Sequence, residues 1–189
     1  MRYFKEKAMK NFKILFIIAL LAAFMAFPAL AAENINPDND DSKYAWSENA
    51  GWINAEPMGE AGPGAEVADD KITGYIWSEN IGWISLSCEN KGSCGTVDYG
   101  VTNDGNGNLS GYGWSENAGW INFSCENNGY CPTVDYGVKI DSSTGDFSGY
   151  AWAENIGWIK FAKAAPFAYK VKTSWLSAIA LPCFISIWK

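Results

Sequence analysis

Four stretches of the chain share one pattern: Tyr44-Ala-Trp-Ser-Glu-Asn-Ala-Gly-Trp-Ile53, Tyr75-Ile-Trp-Ser-Glu-Asn-Ile-Gly-Trp-Ile84, Tyr112-Gly-Trp-Ser-Glu-Asn-Ala-Gly-Trp-Ile121 and Tyr150-Ala-Trp-Ala-Glu-Asn-Ile-Gly-Trp-Ile159. The two tryptophans of each copy are six apart (46/52, 77/83, 114/120, 152/158), while successive copies are offset by 31, 37 and 38 residues. Rigid units joined by connections of variable length produce that combination. Tyr-x-Trp and Gly-Trp-Ile read as short strands, and Ser-Glu-Asn-x-Gly as a four- or five-residue turn in which Asn tolerates positive φ and Gly accommodates a bulge. Each copy is thus expected to be an antiparallel hairpin.

Period-two alternation assigns the faces. Tyr75 with Trp77, and Ile84 with Leu86, fall into apolar sets, whereas Trp83 shares its face with Ser85 and its counterparts with Asn54, Asn122 and Lys160. The second tryptophan of each copy is therefore the exposed one. Its expected neighbour across the hairpin is the residue between Tyr and the first Trp, namely Ala45, Ile76, Gly113 or Ala151, which is small in three of the four copies and leaves room there for an indole to lie flat.

Outside the hairpins, Thr96-Val-Asp-Tyr-Gly-Val-Thr102 and Thr133-Val-Asp-Tyr-Gly-Val-Lys-Ile140 each supply a further strand, giving about three strands per unit of roughly 37 residues. A unit that small cannot bury both faces alone, so neighbours must stack or close. The expected fold is all-β, a tandem array of antiparallel β-hairpin repeats in an open solenoid or propeller-like arrangement. A β-trefoil or a compact barrel would use similar spacing.

Residues 1–31 form a secretory signal peptide: Arg2, Lys5, Lys7, Lys10 and Lys13 precede an apolar run from Ile14 to Phe27, and Ala29-Leu-Ala31 places cleavage after Ala31 or Ala32. Met9 is an alternative start. The run is shorter than the about 20 residues that span a bilayer, so no stable membrane insertion is expected after cleavage. An acidic linker follows at 32–43, the repeat domain at 44–172, and an apolar tail at 173–189 that carries the unpaired Cys183 and is a final strand, a docking segment or a truncated reading frame. After cleavage 158 residues remain with 9 Lys and Arg against 20 Asp and Glu, a net charge near −11. Such a surface repels phosphate backbones and anionic lipid, which argues against nucleic-acid partners. Export places the protein outside the cell, at its surface or in a periplasm.

The chain holds no histidine, which excludes Ser-His-Asp and Cys-His nucleophilic sites and imidazole-ligated zinc. Its five cysteines include Cys88 and Cys94, and Cys125 and Cys131, at equivalent places in the two middle units. In an exported chain these read as local disulfides, each closing a seven-residue ring and contributing about 2.4 kcal/mol by loop entropy. A four-thiolate zinc site is the alternative. The acidic turns around Asp38, Asp98 to Asn106, and Asp135 to Asp146 invite a calcium reading, but none completes an EF-hand loop, so no cofactor is assigned.

At this point the chain resembles the uncharacterised secreted bacterial proteins that carry tandem Gly-Tyr-Ala-Trp-[Ser/Gly]-Glu-Asn-x-Gly-Trp-Ile repeats, over about residues 44–172. The family offers no catalytic residues to carry over. The chain departs from it at Ala153, in the first and fourth copies without a cysteine loop, and in the tail after Trp175.

The expected function is that of a non-enzymatic surface or extracellular binding module, with polysaccharide or another cell-surface component as partner. Trp52, Trp83, Trp120 and Trp158 would stack on sugar rings; Glu48, Glu79, Glu116 and Glu154, with Asn49, Asn80, Asn117 and Asn155, would supply hydrogen bonds. A structural spacer or surface-layer component with no small ligand is the alternative. A glycoside hydrolase using two of the repeated carboxylates is a third and remote one. No catalytic residue is assigned.

Overall fold

A computed structural model describes residues 34–58 and 64–177. The expected signal peptide and the tail beyond Ser177 lie outside the described residues. The four hairpins form as expected: β1 (Tyr44–Ser47) with β2 (Gly51–Asn54), β5 (Tyr75–Ser78) with β6 (Gly82–Ser85), β8 (Leu109–Ser115) with β9 (Gly119–Asn122), and β11 (Phe147–Ala153) with β12 (Gly157–Lys160). Between them lie β3 (Glu66–Val67), β4 (Lys71–Thr73), β7 (Val101–Asn103) and β10 (Val138–Ile140), and after them β13 (Ala162–Lys163) and β14 (Tyr169–Lys170).

The turns are shorter than expected. Ser47 pairs with Gly51, and Ser78 with Gly82, so only three residues separate the strands. The glycines take the left-handed conformation, with φ between 71° and 76°, and the asparagines do not. This is the three-residue loop whose final glycine makes a bulge. It fixes a register in which the two tryptophans face each other, 46 with 52, 77 with 83, 114 with 120 and 152 with 158. The expected vacancy beside the second indole therefore does not exist. The residue between Tyr and Trp points the other way: Ala45 pairs with Ile53, Ile76 with Ile84, Gly113 with Ile121 and Ala151 with Ile159, all buried.

The hairpins close into an eight-stranded antiparallel barrel rather than an open solenoid or a propeller. Strand β2 pairs with β5, β6 with β8, β9 with β11 and β12 with β1. Small and β-branched residues at the inward positions allow this closure, because eight strands leave room only for side chains. Below the hairpins, a second tier continues the wall through β3, β4, β7, β10 and the first halves of β8 and β11, with bridges Asn108 to Lys139, Asp146 to Lys172 and Ile35 to Thr173. Where residue 34 meets β3, the Asn34 side chain completes the seam by bonding both Val67 O and Val67 N, at 2.8 and 2.9 Å.

The interior is filled. Ile72, Leu86, Phe123, Phe147, Phe161 and Val171 pack the lower tier beneath the isoleucines, and the remaining void is about 20 Å³. Among the described residues, a barrel packed to that degree leaves no room for a ligand between these side chains. The first described residues of the tail belong to this body: Thr173 and Trp175 are buried, and Trp175 Nε1 donates to Asp69 Oδ1 at 2.8 Å. Among the described residues no helix is long and apolar enough to cross a membrane.

Candidate functional site: aromatic grooves between the hairpins

With the inner face consumed by packing, the tryptophans of the four motif copies are all on the outside. Trp52, Trp83, Trp120 and Trp158 are 49%, 42%, 44% and 41% exposed, as the alternation implied, while their hairpin partners are half-buried. Each exposed indole is wedged by its neighbours. Trp120 meets Trp114 at 4.6 Å, Tyr112 at 6.2 Å and Tyr99 at 5.4 Å between ring centres, the two tyrosines edge-on. Trp158 meets Trp152 at 4.6 Å, Tyr150 at 6.0 Å and Tyr136 at 5.1 Å, and Trp52 repeats the arrangement with Trp46, Tyr44 and Tyr169. Edge-to-face packing stabilises such clusters and holds the exposed part of each ring in one orientation.

Tyr99, Tyr136 and Tyr169 come from the segments that follow one hairpin and lean on the tryptophan of the next. In the sequence the Asp-Tyr-Gly-Val recurrence reads only as strand, whereas in the fold the strands begin at Val101 and Val138 and the tyrosines precede them. Two of these segments carry the cysteines. Cys88 with Cys94, and Cys125 with Cys131, form disulfides with Cα atoms 4.9 Å apart. Both begin on a single 3₁₀ turn, Cys88–Lys91 or Cys125–Asn128, capped by Ser87 or Ser124 and ended by a left-handed Gly92 or Gly129. Asn90 and Asn127 reach back from these turns to bond both the N–H and the C=O of Gly74 and Gly111. Because each cysteine pair is closed on itself, the sulfurs grouped with Asp98 and Asp135 are not thiolates, and the four-thiolate zinc alternative falls. Disulfides of this kind belong to an oxidising, exported environment.

The motif asparagines have a structural task. Asn80 Nδ2 donates to Ala50 O in the preceding hairpin at 3.1 Å, and Asn117, Asn155 and Asn49 donate likewise to Ile81 O, Ala118 O and Ile156 O. Ser78, Ser115 and Ser47 add a second donor to the same carbonyls. Ala153 cannot, so Asn155 serves Ala118 O without a serine. The motif glutamates Glu48, Glu79, Glu116 and Glu154 are exposed on the turns, and Glu116 lies 3.8 Å from Lys91.

The acidic residues of the turns also have partners. Asp141 Oδ1 accepts from Ser143 and Thr144, and Asp104 from Asn106 and Asn108, bonds that hold both carboxyls below their ordinary pKa. Asp38 pairs with Lys172, and Asp146 with Lys170 at 2.8 Å.

Between adjacent hairpins the outer wall forms grooves. The first, about 1160 Å³, runs between Trp52 and Trp77 and has a charged rim of Asp40, Asp41, Lys163 and Lys170. The second, about 430 Å³, lies between Trp83 and Trp114. The third, about 1190 Å³, lies between Trp120 and Trp152 and extends to Trp158; its rim is Val97, Tyr130 and Val134 from the two cysteine loops. No family model, curated protein or solved structure matches the chain. What these surfaces can do follows from their geometry. They offer wedged aromatic faces with amides, hydroxyls and carboxylates at the edges, the composition that suits a ligand with one apolar face and many hydroxyls. Glu79, Glu116 and Glu154 each line one groove, and so do Asn80, Asn117 and Asn155 beside their latch bonds.

Proposed function

We propose that the protein is an exported, non-enzymatic binding module that takes carbohydrate on the aromatic grooves of its barrel, at a cell surface or outside the cell. The observation that carries this reading is the wedging of half-exposed indoles by three neighbouring rings, repeated around the barrel at Trp52, Trp120 and Trp158. A platform already fixed in the free protein loses little entropy when a sugar stacks on it, and several such platforms on one chain favour a polymer through avidity. The glutamates supply hydrogen-bond acceptors at the groove edges. Trp120→Ala and Trp158→Ala should each weaken retention on insoluble polysaccharide while leaving the fold intact, because these rings lie outside the packed interior. Retention unchanged in a folded double variant would sink the proposal.

A second reading, a structural spacer or surface-layer component, is favoured by one feature. The serines and asparagines of the motif are committed to joining hairpins. On that reading the tryptophan variants lose stability and no polysaccharide binds the wild-type chain.

A further inference from the structure

The second and third hairpins differ at the buried polar position that ends the second strand, Ser85 against Asn122, and the difference reverses the direction of a hydrogen bond. In the second, Tyr99 Oη donates to Ser85 Oγ at 3.0 Å, so its proton is directed into the wall; Ser85 Oγ also receives Asn90 Nδ2 at 3.0 Å and donates to Ser87 O. In the third, Asn122 stands where Ser85 does. Its Oδ1 is taken by Asn127 Nδ2 at 2.5 Å and by Ser124 N at 3.1 Å, which fixes the amide with Nδ2 on the remaining side. That Nδ2 is buried and has no hydrogen-bond partner among the described residues, although Asn122 is 95% buried and lines the third groove. An unpaired buried amide donor is costly and rare in a folded protein.

Tyr136 follows Asn122 by the same 14 positions that separate Tyr99 from Ser85, so the repeat brings its hydroxyl to that side, and both residues line the third groove. Burial pushes the Tyr136 phenol up from its ordinary pKa, and interaction with the Asn122 side chain opposes that push. A phenol facing an N–H donor cannot direct its own proton there. The Tyr136 proton is left for an acceptor in the groove, beside the exposed face of Trp158. The charged residues lining this groove are Asp98 and Glu154, with no lysine or arginine among them. An anionic ligand is repelled there, and a quaternary ammonium centre has no lone pair to accept the phenol proton.

Resting on the carbohydrate reading above, we propose that the third groove binds a neutral glycan, with Tyr136 donating its hydroxyl proton to a sugar oxygen and Asn122 as the residue that positions Tyr136. The stacked ring supplies most of the contact and Tyr136 the direction.

The test uses the mature chain and soluble probes: a neutral β-linked glucan, a neutral galactomannan, a polyuronate and choline, titrated by calorimetry. Tyr136→Phe should weaken binding of the preferred neutral glycan about five- to tenfold, the value of one hydrogen bond. Asn122→Ser installs the arrangement already present at Ser85, so the fold should persist with an unchanged thermal midpoint while the phenol turns inward and affinity falls by a similar factor. The double variant should be no weaker than Tyr136→Phe alone, a coupling that a merely structural Asn122 would not give. Tyr99→Phe should leave affinity unchanged. If Tyr136→Phe and Asn122→Ser bind as wild type while Trp158→Ala does not, the role of Tyr136 is overturned and the carbohydrate reading stands. Tighter binding of the polyuronate or of choline overturns the neutral ligand, and a wild-type chain that binds none of the glycans overturns both readings.

Discussion

Removal of the motif asparagine should cost more in the fourth hairpin than in the second, although the residue and its bond are the same. In the second, Ala50 O receives Ser78 Oγ at 2.7 Å and Asn80 Nδ2 at 3.1 Å. Asn80→Ala leaves that carbonyl with the serine, so the loss is one ordinary hydrogen bond, about 1 kcal/mol. In the fourth, Ala153 takes the serine's place, and Asn155→Ala strips Ala118 O of the side-chain donor it has, at a buried residue. Leaving a buried acceptor unsatisfied adds its desolvation penalty, for a total of about 2–3 kcal/mol. The seam these bonds support is thin: two residue pairs join β9 to β11, against four within each hairpin. Equilibrium urea unfolding followed by tryptophan fluorescence reads the difference directly, since a change in midpoint at constant slope is a change in stability. The double variant Ser78→Ala/Asn80→Ala should approach the cost of Asn155→Ala and exceed the sum of its single variants. Equal losses for Asn80→Ala and Asn155→Ala would refute the reasoning.

Two glycines with the same left-handed backbone should respond differently to alanine. Gly157→Ala adds a Cβ 3.7 Å from Asn49 Nδ2 and should cost only the conformational strain, about 1–2 kcal/mol, whereas Gly149→Ala drives a Cβ to 2.0 Å from Gly137 O and should cost more than about 3 kcal/mol, both read by thermal unfolding. Cys125→Ser/Cys131→Ser should lower stability by about 2.4 kcal/mol in the same urea assay, and the variant, left with the Cys88–Cys94 disulfide, should lose less stability on reduction than the wild type does. Lys43 donates to the buried Glu56 carboxylate at 3.0 Å, a bond that raises the lysine above its ordinary value of 10.5. Its stabilisation is therefore complete below 10.5 and lost as pH rises through the raised value. Lys43→Met should cost about 2 kcal/mol at neutral pH, with the gap from wild type closing at strongly alkaline pH in pH-dependent denaturation.

The hairpins, the cysteine pairs and the outward set of the second tryptophans were legible because each is a local relation. Trp77 and Trp83, like Cys88 and Cys94, are six positions apart, and alternation or ring size decides what such neighbours do. Closure of the barrel was not legible, because the groups that effect it act at a distance. Ser78 reaches Ala50, 28 positions away, and Ser47 reaches Ile156, 109 positions away, through a side-chain donor that looks in the sequence like ordinary turn chemistry. The asparagines invited a ligand role for the same reason. The tyrosines were hidden in a related way: Tyr136 is in a recurrent motif that reads as strand, but it lies before β10 and its target, Trp158, belongs to the next copy.

A ring of four identical hairpins would make four identical grooves, and this ring does not. What repeats within the chain serves the barrel: the small inward residue, the isoleucine, the turn glycine and the Ser and Asn latches. What varies is inserted after the second strand of each hairpin, as a cysteine loop in the two middle units and as the β13–β14 ribbon in the last. These inserts supply Tyr99, Tyr136 and Tyr169 to the next hairpin and build the rims, charged at the first groove and apolar at the third. Selection for a ligand can then act on an insert without disturbing closure, because Asn127 and Asn90 anchor each loop to its own hairpin. The exposed indoles provide a surface common to all grooves, and the residues that arrive beside them, Asn122 behind Tyr136 above all, determine which groove has a direction.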